Sequence, residues 1–406
     1  MQRRSSLPRQ SAAWIRSGTK GLVIAALALG VSGCAGASLG EVTGTTPNAY
    51  ANDPAVAEYQ AKLAAYEQAH GAYEAQSKAY WNAISEKRKL RRDKRRQHQR
   101  IAANDYVLTQ PPVYDGPPRP KNPLAPPTPP SEQRQIPVVA DFLEAAREAY
   151  GFVPDRPRDE LEFKRAYAAA ALSAGLDKRQ VVGIYAFETG GHGAYDTQAG
   201  LLFDRPGARA ISPALGYNQL LSTLTISLLA EHGNKVVALL AQKERHLSGE
   251  ARIRMAHKIA ALRRMIAVAR SVPHRWSAYD RLAKHTAKGM GMHAVLLDVD
   301  IGPLLQVENL ANSLHFARVK GYEGRMSAAE LELMNLAGAG NGIDMVMMPQ
   351  SLREQVPTSN FFVPSGYWRN PIARRTKVVA GLIAEIQNHI DRAEKNPGAQ
   401  ELAAAF

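Results

Sequence analysis

Ten of the twenty residues from 111 to 130, "PPVYDGPPRPKNPLAPPTPP", are proline. Proline has no backbone N–H and a fixed φ, so such a run is barred from helix interiors and from paired strands. It favours extended polyproline II and acts as a semi-rigid spacer. The spacer is expected over residues 106–135, dividing the 406-residue chain into a short first part and a long second part. The chemistry is expected in the second part. Length by itself permits two domains, or one large domain with appendages.

The first part opens on a targeting pattern. Arg3, Arg4, Arg9, Arg16 and Lys20 precede an apolar run, "GLVIAALALGV", with no acidic residue among them. At 11 residues that run is too short to span a bilayer as a helix, and it reads as the h-region of a signal peptide over 1–33. It leads into "VSGC", which resembles the lipobox of bacterial lipoproteins. The resemblance implies lipidation of Cys34. It is the only cysteine of the chain, which by itself rules out an intramolecular disulfide. Ala35 follows the Cys where an Asp would imply inner-membrane retention. The expected location is therefore the cell envelope, lipid-anchored to the outer membrane and facing the periplasm. Five of the fourteen net positive charges sit in the removable segment.

Residues 34–105 are expected to hold a small, polar tether and a long helix. Between 55 and 101 there is no proline, and Ala, Glu, Gln and Lys dominate. Tyr59, Tyr66, Tyr73 and Tyr80 recur every seven residues, with Leu63 and Ile84 on the same face, interrupted by Gly71. Such a row fits a seam packed on a partner helix better than a glycan-stacking surface. The helix ends in "KRKLRRDKRRQHQR", nine basic residues against Asp93. Behind a lipoprotein signal that run predicts no nucleic-acid partner; a solvated face, or attraction to anionic lipid or cell-wall polymer, is expected.

From 136 to 395 the chain reads as helix after helix, with apolar residues at i, i+3 and i+4 and no clean two-residue alternation. Asp177 and Ser327, the latter followed by Glu330, fit N-caps, and Gly175, Gly233 and Gly321 fit helix ends. The predicted fold class is mainly α, a body of about 260 residues preceded by a helical segment and a Pro-rich spacer.

Within that body "YAFETGG", residues 185–191, sets Glu188 beside Phe187 on the last turn of a helix ending at a glycine pair. A partly apolar cleft there would lift the carboxyl from ~4.3 toward the ~6 of a general acid. Three later stretches follow in order: "ISPALGYNQLL" at 211–221, "LMNLAGAGNGIDMV" at 333–346 and "TSNFFVP" at 358–364. Together they resemble the signature stretches of the lysozyme-like lytic transglycosylases, over roughly residues 165–390. The resemblance implies a lysozyme-like domain with Glu188 as catalytic acid. It places Thr189, Ser212, Tyr217, Gln219, Asn335, Ala337, Gly338 and Phe362 along a glycan groove. Relative to the family, about eighteen extra residues separate Glu188 from Ser212, and a basic helical insertion is expected at about 234–272, with Arg252, Arg254, Lys258, Arg263 and Arg264 on a solvated or glycan-facing side. Met334 and Phe362 stand where the family carries Tyr; Tyr185 or Tyr217 are the candidates to supply the missing hydroxyl.

The implied activity is cleavage of the β-1,4 bond between N-acetylmuramic acid and N-acetylglucosamine, leaving a 1,6-anhydro end. Peptidoglycan strands are the expected partner, with the membrane engaged through Cys34 and envelope proteins as possible further partners. One acid suffices, so no cofactor and no metal are expected. A hydrolytic muramidase would need a second carboxylate, for which Asp196 and Asp204 are candidates. His192 and Asp196 have a His-x-x-x-Asp spacing, but no His-x-His or His-Glu-x-x-His pattern completes a zinc site. A non-catalytic glycan-binding or scaffold lipoprotein is the other alternative.

Overall fold

The computed structural model describes residues 53–126, 135–201 and 208–406. The signal peptide, Cys34 with its tether up to residue 52, part of the Pro-rich stretch, and Asp204 lie outside the described residues. The described chain is mainly helical: α1 Pro54–Arg96, α2 Val139–Tyr150, α3 Glu160–Ser173, α4 Lys178–Thr189, α5 Ser222–Glu244, α6 Gly249–Arg270, α7 Trp276–His285, α8 Ala287–Met292, α9 Gly302–Val319, α10 Ala328–Ala337, α11 Ala339–Val346, α12 Gln350–Arg353, α13 Pro364–Arg369, α14 Pro371–Thr376, α15 Val379–Ala393 and α16 Pro397–Ala404. Among the described residues there is no strand, only three isolated bridges.

The helices bury their apolar faces in two cores. The first gathers Tyr167, Ile184, Tyr185, Leu331, Met334, Leu382 and Ile386 from α3, α4, α10 and α15. The second gathers Phe142, Leu229, Leu262, Met265 and Leu296 around the α5–α6 hairpin. Partly buried Tyr195 and Leu304 touch both. The expected insertion at 234–272 is therefore no appendage. It comprises the far half of α5 and all of α6, whose apolar sides form the second core. Gly233, expected at a helix end, sits inside α5 because α6 presses against it: a Cβ there would lie 2.5 Å from Ile266 Cγ1. Lys258, expected on a solvated side, is buried and its Nζ contacts Asp155 at 2.7 Å, Asp298 at 2.9 Å and Asp300 at 2.6 Å. Three carboxylates offset the desolvation of one buried ammonium. Burial nonetheless raises the wholly enclosed Asp298 to about 6, while Asp300, more open, is held below its usual range.

The sequence pattern also understated how far the body extends. α16 lies beyond the expected limit at 395, with Ala399 and Leu402 fully buried and Glu401 paired to Lys164 at 2.5 Å. The stretch "IARRTKVVAGLIAEIQNHIDRAEK" falls in two helices, α14 and α15, broken at Lys377, whose φ is 60°.

The N-terminal arm departs most from expectation. Arg91 is only 2% exposed. Its guanidinium donates to the Asp105 and Asn360 carbonyls at 2.9 and 3.3 Å and stacks over Tyr106, 4.3 Å from the ring centroid. Arg88 donates to the carbonyls of Asn360 and Phe362, and Arg95 pairs with Asp344 at 2.8 Å. Arg88 and Arg91 thus fasten the basic run to the loop at 358–362, and Arg95 fastens it to α11. The first residues of the expected spacer are docked as well: Tyr106 is in the first core, and Val107 exchanges two hydrogen bonds with the Asn360 side chain, at 3.0 and 2.7 Å. Tyr66, Tyr73 and Tyr80 of the row do form a seam, but their partner is the returning Pro-rich segment and not a helix. Tyr114 packs edge-on against Tyr66 and Tyr73, at 6.1 and 5.5 Å, and Tyr80 donates to the Thr109 carbonyl. What the returning segment offers the aromatic face is the Tyr114 ring and the Thr109 carbonyl.

Arg91 supplies a test of this docking. Burial draws its pKa down to about 10, so it stays charged at neutral pH and depends on the carbonyls and rings around it. Arg91→Ala is expected to cost about 2–3 kcal/mol and to open the segment between 97 and 126 to protease. An unchanged unfolding midpoint and cleavage pattern would show that the arm contributes nothing to the body.

Candidate active site

Helix α4 begins with a capping box, in which Asp177 and Gln180 bond each other's backbone N–H. It ends where Gly190 and Gly191 take left-handed conformations, φ 64° and 71°. That end is pinned from several sides. The Asn396 side chain donates to the Gly190 carbonyl at 2.7 Å, Ala399 N–H to the Gly191 carbonyl, and the Tyr185 hydroxyl to the Gly193 carbonyl at 2.6 Å.

Helix α10 reaches Glu188 because α4 carries no side chain at Gly183. A Cβ there would stand 2.4 Å from that of Ala328, so the two helices pack in close approach. Two turns further along α10, Asn335 Nδ2 donates to Glu188 Oε1 at 2.8 Å. Gly338, with φ 81°, ends α10, and α11 folds back on it: a Cβ at Gly342 would lie 2.3 Å from the Met334 backbone. Burial raises the Glu188 carboxyl to about 8, against the opposing Asn335 hydrogen bond. Phe187 beside it stacks edge-on with His389 of α15, 5.1 Å between centroids.

Of the residues expected along the groove, the structure brings Glu188 and Asn335 into contact, with Ala337 and Gly338 at the end of the same helix. The others serve the framework. Thr189 is 1% exposed and its hydroxyl donates to the Tyr185 carbonyl at 2.7 Å, so its place after the acid is structural. Ser212 is buried; its Oγ accepts from Ala214 N–H, and its carbonyl accepts from Gln198. Tyr217 is fully buried among Phe163, Tyr167 and Tyr185, and its hydroxyl bonds Glu160. Neither Tyr185 nor Tyr217 therefore supplies a hydroxyl to Glu188. Gln219, at φ 44°, turns its amide back onto the Thr197 and Gly216 carbonyls, at 2.9 and 2.8 Å, closing the turn between Leu215 and Leu220. Phe362 is buried, with its carbonyl taken by Arg88. Asp196, the candidate second carboxylate, is paired with Arg156 at 2.6 Å.

One residue escaped the sequence reading. Glu332 lies one turn before Asn335 on the same side of α10 and is 1% exposed. One of its carboxyl oxygens, Oε2, has no hydrogen-bond partner. Burial, then the nearby Glu188, raise it well above the carboxylate range, and a hydrogen bond from Asn335 offsets part of this. The available signal was a lone acid at i−3 from Asn335 on an otherwise apolar face. Two recesses lie elsewhere, of about 290 Å³ beside His192, Asp196 and Gln198 and about 310 Å³ beside Asp177, Arg318 and Tyr322; Glu188 is in the wall of neither. The first begins four residues past Glu188 and shares Thr197 with the Gln219 turn. No protein-family model, curated protein or solved structure matches this chain.

Proposed function

We propose that this protein is a peptidoglycan lytic transglycosylase with a lysozyme-like body, carried in the cell envelope on a lipid at Cys34, and that Glu188 is its catalytic acid. The observation that carries this reading is the Glu188 carboxyl at a helix end, pushed up by burial to about 8 and held by the Asn335 amide. A general acid needs its proton at its working pH. Glu188 would give its proton to the glycosidic oxygen as the C1–O bond breaks. The substrate's own N-acetyl group would stabilise the cation at C1. Glu188, now a base, would take the C6 hydroxyl proton as O6 closes on C1. The proton returns to Glu188, and neither water nor cofactor is consumed.

The positions of the other acids support this route over hydrolysis. A hydrolytic muramidase needs a second carboxylate facing the sugar, with room for water or for a covalent bond. Asp196 is bound to Arg156, and Glu332 is shut inside the helix packing behind Glu188.

A non-catalytic glycan-binding or scaffold protein is favoured by a different observation: the Gln219 amide and the Tyr217 hydroxyl are both committed to the framework, and Phe362 has no hydroxyl. Zymography on peptidoglycan with wild type and Glu188→Gln, followed by mass analysis of products, separates these readings. Clearing by wild type alone, with product ends one water lighter than hydrolysed ones, is expected. Equal clearing by both, or by neither, would discard the enzyme. Hydrolysed ends would convert it to a muramidase.

A further inference from the structure

We propose that Glu332 is a second carboxyl of this site, set beside Glu188 at the Asn335 amide so that the two titrate as one coupled pair. The inference stands on the packing of α4 against α10. Glu332 is 1% exposed, with Oε2 unpartnered. Asn335, three residues on, donates one N–H to Glu188 Oε1 at 2.8 Å, and Glu332 lies one turn before it on the same side of α10. A primary amide has two N–H groups, so it can hold two carboxyls at once.

Among the described residues no cation is paired with either carboxyl. On α10, Glu330 is engaged in the Ser327 cap. On α11, Asp344 is paired with Arg95. On α9, Glu308 bonds Lys235 and His232, and on α15, His389 sits against Phe187. Glu394, at the end of α15, approaches Gly183, a turn and a half of α4 away from Glu188. With no opposite charge, two carboxyls in one enclosed site cannot both ionise near neutral pH. Glu188, the more open of the two, ionises first, and Glu332 keeps its proton while it does.

A consequence for catalysis follows, and it rests on the reading of Glu188 as the acid. When Glu188 becomes an anion part-way through the cycle, it does so beside a neutral acid and not beside a buried charge. Glu332 touches no substrate; it acts through Glu188 and is a positioning residue. The pairing would call on both N–H donors of Asn335, which Asp could not provide.

The test is a pH titration of the protonated-carboxyl infrared band. It compares wild type, Glu188→Gln and Glu332→Gln, each referenced to the double variant, with melting curves to verify folding. In wild type the pair is expected to lose its protons in two steps. In Glu188→Gln the step belonging to Glu332 should fall by about one pH unit or more relative to the upper wild-type step. A wild-type titration equal to the sum of the two single variants would overturn the proposal. So would an upper step that Glu188→Gln leaves in place, a comparison that holds even if Glu332→Gln fails to fold. Coupled titration without glycan cleavage would discard the proposed activity and keep the pair. Glu188-dependent cleavage with independent titrations would do the reverse.

Discussion

The Glu188→Gln protein is expected to lose about three orders of magnitude in glycan-cleaving rate, within the range general acid–base catalysis contributes, while becoming more stable above pH 7. The two effects have one cause. Burial favours the neutral carboxyl and raises Glu188 from 4.5 to about 8. Below pH 4.5 the folded and unfolded chains both hold this proton, and the group adds no pH dependence. As pH rises toward 8 the unfolded carboxyl ionises while the folded one does not, so stability drains away across that window. Glutamine is neutral throughout and can still accept the Asn335 N–H. The stability difference between variant and wild type should therefore be small at pH 5. It should grow to about 2 kcal/mol at pH 8, a figure discounted for the partial exposure of the site. Denaturation midpoints of both proteins at pH 5 and pH 8 read it directly. Parallel midpoints at the two values would mean that Glu188 is solvated, and with it the case for a neutral-pH acid would fall.

How much of this was legible in the sequence depended on the range of the interaction. Helices α4 and α10 were readable because their caps and apolar spacing are local signals, whereas α5 runs on past Gly233, where the sequence suggested an end. Asp177 capping α4 and Ser327 capping α10 are as expected. Glu188 was legible because two glycines announce the helix end. Asn335 was legible only through the order of motifs, and its contact with Glu188 depends on Gly183 meeting Ala328, a pairing between residues 145 apart for which one chain carries no pattern. The same reason hid Glu332: on a helix of Leu, Met and Ala, an acid reads as exposed until another helix covers it. The basic run misled in the opposite direction. Arg91 looks solvated among its neighbours, and only the fold reveals that Tyr106, Asp105 and Asn360 enclose it. Gln219 and Tyr217 matched a motif but turn inward, because their side chains close the turn and fill the aromatic cluster.

The glycine pair after Glu188 gives the sharpest structural prediction, because its two members differ. Both have left-handed backbones, which cost a Cβ-bearing residue about 1–2 kcal/mol. At Gly190 nothing lies within 4 Å of an added Cβ, so Gly190→Ala should pay that strain alone. At Gly191 the added carbon would sit 2.1 Å from the Ala393 carbonyl oxygen, a backbone atom at the end of α15, and 3.0 Å from Asn396 Cβ. A rigid acceptor cannot step aside as a side chain can, so α15 must move or the α4 end must unwind. Overpacking of this kind adds about 1–3 kcal/mol, and the bond from Ala399 N–H to the Gly191 carbonyl would be strained with it. Gly191→Ala is thus expected to lower the melting midpoint by roughly 4–20 °C, at roughly 2–4 °C per kcal/mol, against roughly 2–8 °C for Gly190→Ala. Because α15 also carries His389 against Phe187, next to Glu188, the Gly191 variant should lose glycan-cleaving rate at temperatures where it remains folded. Gly190→Ala should retain most of its rate. Equal melting shifts from the two substitutions would mean that α15 does not press on the α4 end, and Glu188 would then sit on a looser turn than the one described above.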